Sequence, residues 1–235
     1  MRVLVIDVGG TNVKVAGSWR RTPLRIESGP ELTPTLMVRQ VRALTVAWNY
    51  DAVSLGYPGP VRRGVPIAEP HNLGGGWVRY NFERAFGAPV RIINDAAMQA
   101  LGSYDGGRML FLGLGTGLGS ALVEEGRVLP LELAHLPYRK GRSYEEHLGA
   151  GGMKRLGQLK WEKHVHRVCA LLLKALLCDY VVLGGGNAEL LKVLPELARR
   201  GSNALAVEGG VRLWSGALPS SRLRRGASAP LRLPT

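Results

Sequence analysis

Two stretches of this chain follow one plan, and a chain that repeats the same hairpin in each half has few folds open to it. Arg2-Val-Leu-Val-Ile-Asp7 reads as a buried strand, Val8-Gly9-Gly10-Thr11-Asn12 as a turn and Val13 to Ala16 as the returning strand. In the second half Gly107 to Gly113 is a strand, Leu114-Gly115-Thr116-Gly117-Leu118-Gly119 a turn and Ser120 to Val123 a strand. The repeat predicts an internal duplication. Each tip, rich in glycine and threonine, can turn several backbone N–H groups into one concavity, which is an anion nest. A Gly-Gly-Thr-Asn turn is equally an ordinary tight hairpin, so one tip decides little, and two tips are more specific than either. Asp7 at the mouth of the first can hold Mg²⁺ directly or through water, and Lys14 adds a cation nearby.

A third stretch places a carboxylate between strand and helix. Val90 to Ile93 is a short β-branched run, Asn94 and Asp95 follow, and Ala96-Ala-Met-Gln-Ala-Leu101 is helix-forming, with Gly102 expected to close the helix. Asp95 therefore sits where α/β proteins place chemistry. Taken alone it is also an unremarkable N-cap.

Between these stretches, Leu24 to Ser28 and Ala52 to Gly56 read as strands, and Thr35 to Trp48 and Arg79 to Phe86 as helices. Gly56 and Gly59 either let a backbone approach a ligand or belong to an ordinary Pro-Gly turn, and the glycine-rich loop from Glu69 to Trp77 is expected to move. Further on, Tyr144 to Leu156 and Gln158 to Cys178 read as helices. Strand Asp179 to Leu183 leads into Gly184-Gly185-Gly186, and a helix from Ala188 to Arg199 is expected after it, an arrangement that suits a nucleotide lying across the backbone. Glu132 and His135 lie close together at a strand end. His164 and His166 are expected to be solvated.

The chain has 235 residues, 46% of them hydrophobic, enough for a large core in two parts. The expected division is a small N-terminal α/β domain over 1–93, a larger one over 94–214 and a disordered basic tail over 215–235. A protein ending after Trp214 should keep its fold and activity, measured by thermal melt and turnover; loss of folding would show that the tail packs. The net charge of +13 favours polyanionic partners. Cys169 and Cys178, the two cysteines, belong to one apolar helical pattern and form no C-x-x-C pair, so buried thiols and no zinc are expected. Asp7 interrupts the first apolar run and Lys174 the longest later one, which argues against a secretion signal or a membrane span and for a cytoplasmic protein.

Taken together, Asp-Val-Gly-Gly-Thr-Asn-Val-Lys (7–14), Gly-Tyr-Pro-Gly-Pro-Val (56–61), Ile-Asn-Asp-Ala (93–96), Leu-Gly-Thr-Gly-Leu-Gly-Ser (114–120), Glu-Leu-Ala-His (132–135) and Gly-Gly-Gly (184–186) resemble, in order, the ROK family of sugar kinases. Their spacing, and the segment from Leu156-Gly157 to Trp161, are most similar to its polyphosphate glucokinase branch. The resemblance covers about residues 2 to 214 and implies an actin-like, duplicated ribonuclease-H-type α/β fold with the active site between two domains. It implies Asp95 as the catalytic base, Asn94, Glu132, His135, Glu145 and Asn72 as sugar ligands, and Gly9, Gly10, Thr11, Asn12, Lys14, Gly115, Thr116, Gly117 and Gly184 to Gly186 on the donor phosphates. The substrates implied are a hexose, with glucose expected, and polyphosphate or ATP with Mg²⁺, in a homodimer without nucleic acid or membrane. The Asp95 carboxylate, ordinarily ionised at neutral pH, is expected to need placement rather than a large pKa shift.

Three departures stand out: the family's zinc-binding cysteine cluster is absent, Ala134 replaces the usual glycine before the histidine and slightly crowds that turn, and no terminal helix returning to the first domain is evident. Two competing readings have their own marks. A sugar-binding regulator of the same family would carry an N-terminal helix-turn-helix, for which a strand starting at residue 2 leaves no room. A non-catalytic polyanion-binding protein would not need Asp95, Glu132 and His135 together.

Overall fold

The structure is a computed structural model that describes residues 1–202 and 204–215; the tail expected over 215–235 lies, but for Ser215, outside them. In the first half β1 (Val3–Val8), β2 (Asn12–Gly17), β3 (Arg20–Glu27), β4 (Ala52–Tyr57) and β5 (Val90–Asn94) form a sheet of order β3-β2-β1-β4-β5. In the second half β6 (Arg108–Leu114), β7 (Leu118–Glu124), β8 (Arg127–Leu131), β9 (Tyr180–Gly184) and β10 (Ala198–Arg200) form a sheet of order β8-β7-β6-β9-β10. The two orders are the same. In each sheet the first three strands are antiparallel and the last two join the first strand's direction. This is the duplicated actin-like arrangement.

Strand alternation sorts the core into layers. Leu4 and Ile6 of β1 face α1 (Pro34–Leu44) and α2 (Phe82–Phe86), with Met37, Trp77 and Phe82. Val3 and Val5 point the other way, into a middle layer with α3 (Asp95–Ser103) and with Met109 and Phe111 of β6. Leu110 and Leu112 face the far side. There α4 (Glu145–Leu148), α5 (Ala150–Leu156) and α6 (Gln158–Ala175) follow one another, and α6 supplies Trp161, Val165 and Val168. Cys169 and Cys178 are buried free thiols, and burial pushes the Cys169 thiol up to about 12.

Several local expectations change. The helix expected from Tyr144 to Leu156 breaks at Gly149, whose extended backbone ends α4 and starts α5. The helix expected over 188–199 is one 3-10 turn, Gly186–Leu190, followed by a loop and β10. Pro195 lacks an N–H and disfavours helix at the residue before it, and the Arg200 guanidinium holds the loop by donating to the carbonyls of Glu189 and Leu191. The loop before α2 is pinned rather than free: the Glu69 carboxylate accepts from the N–H groups of Trp77 and Val78, both at 3.0 Å, and the Trp77 ring is fully buried.

The terminal helix that the sequence conceals is present as α7 (Leu205–Ser215), packed on α3, β1 and β4. Gly102 does not close α3, which runs on to Ser103. It gives α7 room to approach: a Cβ on Gly102 would lie 1.8 Å from the Leu205 carbonyl oxygen. The Ser54 hydroxyl donates to the Gly210 carbonyl at 2.6 Å, and the Trp214 indole donates to Ser54 Oγ at 2.9 Å.

Candidate active site

A cleft of about 340 Å³ opens between the two sheets and is lined by Asn94, Asp95, Glu132, His135, Glu145, Gly115, Gly117 and Gly185, among others. A smaller cavity of about 310 Å³ adjoins it, lined by Gly10, Asn72 and Thr116 together with Gly117 and Glu145. Both hairpin tips therefore face one region.

Asp95 is the first residue of α3, and Asn94 is its N-cap. The Asn94 side-chain oxygen accepts from the Ala97 N–H at 3.1 Å, and its amide donates to the Gly59 carbonyl at 3.1 Å, which ties the helix start to the loop after β4. With the capping done by Asn94, the Asp95 carboxylate is turned to the cleft, one oxygen taking its neighbour Ala96 N–H at 2.7 Å. Withdrawal from water, then the charges of Asp7 and Glu132, push Asp95 up to about 7 against the backbone N–H groups that pull it down. The expected unshifted carboxylate is thus corrected: the site raises it, first because burial withdraws it from water and then because the neighbouring Asp7 and Glu132 are acidic.

Asp7 lies opposite Lys14 in the β1–β2 register, and the Lys14 ammonium reaches its carboxylate at 3.2 Å. Burial still holds Asp7 above the usual carboxylate range, outweighing Lys14. Lys14 is thus paired with Asp7 rather than turned to the cleft. Gly56, between β1 and β5, makes room for protein rather than for a ligand, since a Cβ there would lie 2.5 Å from the Met98 methyl carbon and 3.4 Å from the Asp7 carboxylate.

Glu132 and His135 are joined by a 3-10 turn, Leu133–His135, so that positions i and i+3 fall on one side. Their side chains approach to 3.9 Å while 56% and 76% exposed, at the mouth of the cleft. Ala134 is buried in the core beneath this turn and also lines the cleft. One Glu145 oxygen accepts from the Leu118 N–H at 3.0 Å, fastening α4 to the second tip.

Within the tips, the Gly9 N–H donates to the Asn12 carbonyl at 3.0 Å and the Gly115 N–H to the Gly117 carbonyl at 3.1 Å, so each turn is closed by its own first amide. Thr11 is exposed beside Gly10. Gly184 accommodates the Phe111 ring, Gly185 passes against the Leu114 backbone with φ +79° and reaches the cleft, and nothing crowds Gly186. Asn72 lies against Gly10, its side chain 3.6 Å from where a Cβ would stand, on the smaller cavity.

Two polar lining residues escaped the sequence reading. Gln99 is one turn beyond Asp95 on α3, so helical spacing could have found it. His71 is on the pinned loop, where no periodicity marks it. His164 is not simply solvated: it meets the Tyr138 hydroxyl at 3.0 Å and stacks edge-on with buried His147.

Among the described residues no group of three or more His, Cys, Asp or Glu side chains is gathered as a metal centre, and no helix is long and apolar enough to cross a membrane.

No family model matches the chain. It is 26% identical over 204 residues to the polyphosphate glucokinase of Mycobacterium leprae, which covers 77% of this chain and 62% of that protein. The chain thus spans less than two thirds of that relative. Its fold matches that of an inorganic polyphosphate/ATP-glucomannokinase from Arthrobacter sp. strain KM, with a TM-score of 0.71 at 22% identity over 90% of this chain and 99% of the other. A ROK hexokinase from Thermus thermophilus matches with a TM-score of 0.66 at 23% identity over 90% and 97% of the two chains.

Proposed function

We propose that this chain, similar to polyphosphate glucokinases in sequence and to ROK sugar kinases in fold, transfers a phosphoryl group from polyphosphate or ATP to the 6-hydroxyl of a hexose, glucose first among them. The observation that carries this reading is the meeting of Asp95, two glycine-rich tips and the polar set Asn94, Glu132, His135 and Glu145 on adjoining cavities.

Phosphoryl transfer asks the protein for position and charge compensation more than for covalent chemistry. The central amides of the Gly9–Asn12 and Gly115–Gly117 turns would hold donor phosphates from two sides. Asp95 would accept the hydroxyl proton as the new bond to phosphorus forms. Glu132, His135 and Glu145 would pair with sugar hydroxyls, so that a sugar lacking one leaves a polar group unpaired.

Asp7 fits a divalent ion. It is a buried carboxylate with one lysine partner beside a second carboxylate, and Mg²⁺ commonly takes one or two protein oxygens, with water and phosphate completing the shell. Asp7 would hold Mg²⁺ directly or through water, and the ion when bound would neutralise charge on the phosphate oxygens.

The donor reading rests on charge. Between 138 and 167 lie eight cations, Arg139, Lys140, Arg142, Lys154, Arg155, Lys160, Lys163 and Arg167, all exposed, against Glu145, Glu146 and Glu162. Two of the three acids have partners outside this set, Glu145 the Leu118 N–H and Glu162 the Gln158 amide and the Lys192 N–H, while Glu146 accepts from the Ser143 N–H and pairs with Arg142. The local balance is 8 − 3 = +5, beginning a few residues from the cleft-lining His135 and Glu145. A long phosphate chain would be held there by many screened contacts, whereas ATP needs few. Turnover of hexose with polyphosphate is therefore expected to lose affinity for donor steeply as salt rises, with ATP turnover changing little. Initial rates with either donor at low and near-physiological salt test this; turnover with ATP and none with polyphosphate at any salt would assign the charge to an ordinary solvated surface.

A further inference from the structure

We propose that His71 contacts the phosphoryl group during transfer, donating a hydrogen bond to one of its non-bridging oxygens from the partition between the two cavities. This rests on the kinase reading above and adds a residue to it.

The four residues common to both cavities are Pro58, His71, Gly117 and Glu145. They form the boundary between the space beside Asp95 and the space between the hairpin tips. With the donor phosphates in the second space and the sugar hydroxyl beside Asp95, the phosphoryl group crosses that boundary. Pro58 and Gly117 bring no polar side chain, and Glu145 brings an acceptor already fixed on the Leu118 N–H. His71 alone among these four can donate from its side chain.

The charges around the two cavities favour the same residue. Among the described residues lining either cavity there is no lysine or arginine, while Asp95, Glu132 and Glu145 line the larger one. Lys14, the nearby cation, is held on Asp7 at 3.2 Å. The two imidazoles are His71 and His135, and His135 sits 3.9 Å from Glu132 at the mouth. Charge developing on the transferred group has its strongest effect on a donor placed in advance, and His71 is so placed. Its loop is fastened on one side by the Tyr57 hydroxyl on the Ala68 carbonyl at 2.7 Å and by Glu69 on Trp77 and Val78. On the other side the Gly74 N–H donates to the Leu32 carbonyl at 3.1 Å. The side chain itself is exposed.

In the step proposed, the bond from phosphorus to the sugar oxygen forms, the bond from phosphorus to the donor oxygen breaks, and the hydroxyl proton goes to Asp95. His71 forms no covalent bond.

The test compares wild type, His71→Ala and His71→Gln, using the donor that wild type turns over fastest, with thermal melts as the folding control. His71→Ala should lower kcat by about 10²-fold while the sugar KM stays within about threefold. His71→Gln, which keeps an N–H donor, should recover part of the loss, and free imidazole should raise the turnover of His71→Ala, an effect that lost loop packing would not produce. A kcat for His71→Ala within about threefold of wild type, a defect confined to sugar KM, or a failure of both glutamine and imidazole to recover turnover overturns the proposal. A wild-type protein inactive with every hexose and donor instead overturns the kinase reading, before any variant is compared.

Discussion

Gly209→Val is expected to leave the chain without a cooperative fold. Helices α3 and α7 cross backbone to backbone: a Cβ on Gly209 would lie 1.8 Å from the Met98 carbonyl oxygen, as one on Gly102 would from Leu205. No rotamer change relieves a clash with backbone, so the helices would have to part. Parting them breaks the Ser54–Gly210 and Ser54–Trp214 bonds and withdraws the Arg212 guanidinium from the carbonyls of Leu101 and Tyr104. It also removes Ala206 from the middle core layer. Loss of packing and polar partners together falls in the range above ~4 kcal/mol, against ~5–15 kcal/mol for a whole domain. Gly151 in α5 is the control, because a Cβ there meets nothing within 4 Å, and Gly151→Ala should be neutral or stabilise by up to ~1 kcal/mol. Circular dichroism melts of the two variants decide the matter. A cooperative, wild-type-like transition for Gly209→Val would mean that the helices do not cross so closely.

Asp95→Asn is expected to cut turnover by ~10²-fold or more while leaving sugar binding in place. The same substitution should stabilise the protein at neutral pH, and the sign follows from the shift. Asp95 has a folded value of about 7 against 3.8 for a free aspartate, so the native state holds its proton more tightly than the unfolded chain does. Below 3.8 both states are protonated and the residue costs nothing; the cost grows between 3.8 and about 7 and levels off above that. Asparagine removes it, so the stability gain should be on the order of 4 kcal/mol above pH 7 and vanish near pH 4. Wild-type kcat/KM should rise with pH through about 7 as the base loses its proton. Equal melting temperatures at neutral pH, with full turnover, would remove Asp95 from both roles.

The parts of the fold that were legible are those in which local pattern and tertiary structure agree. Val3 to Ile6 and Met109 to Leu112 alternate between two buried faces, so their strands and the repeat of the first hairpin read directly from residue order. What could not be read depends on partners remote in sequence. Helix α7 carries Gly209 and Gly210 in its interior, and two poor helix formers hide it until the crossing with Gly102 supplies their reason. The segment after Ala188 has helical composition, but Pro195 and an open edge beside β9 make it a 3-10 turn and a strand. The Asp7–Lys14 pair was within reach, since the two lie symmetrically about the first turn. The raised Asp95 value was not, because it comes first from burial in the assembled fold and then from Asp7 and Glu132, which lie on separate strands and loops. His71 has no periodic context, and its interest lies in belonging to two cavities at once.

The central claim is that this cleft phosphorylates a hexose with Asp95 as base. It is tested most directly by following phosphorus resonances during incubation of purified protein with Mg²⁺, a hexose and either polyphosphate or ATP, for wild type and Asp95→Asn side by side. The account predicts that a hexose 6-phosphate signal grows with wild type, fastest with glucose, and that the variant forms it ~10²-fold more slowly or not at all. A wild-type protein that forms no sugar phosphate with any donor and hexose, or a folded Asp95→Asn variant that forms it at a comparable rate, contradicts the account.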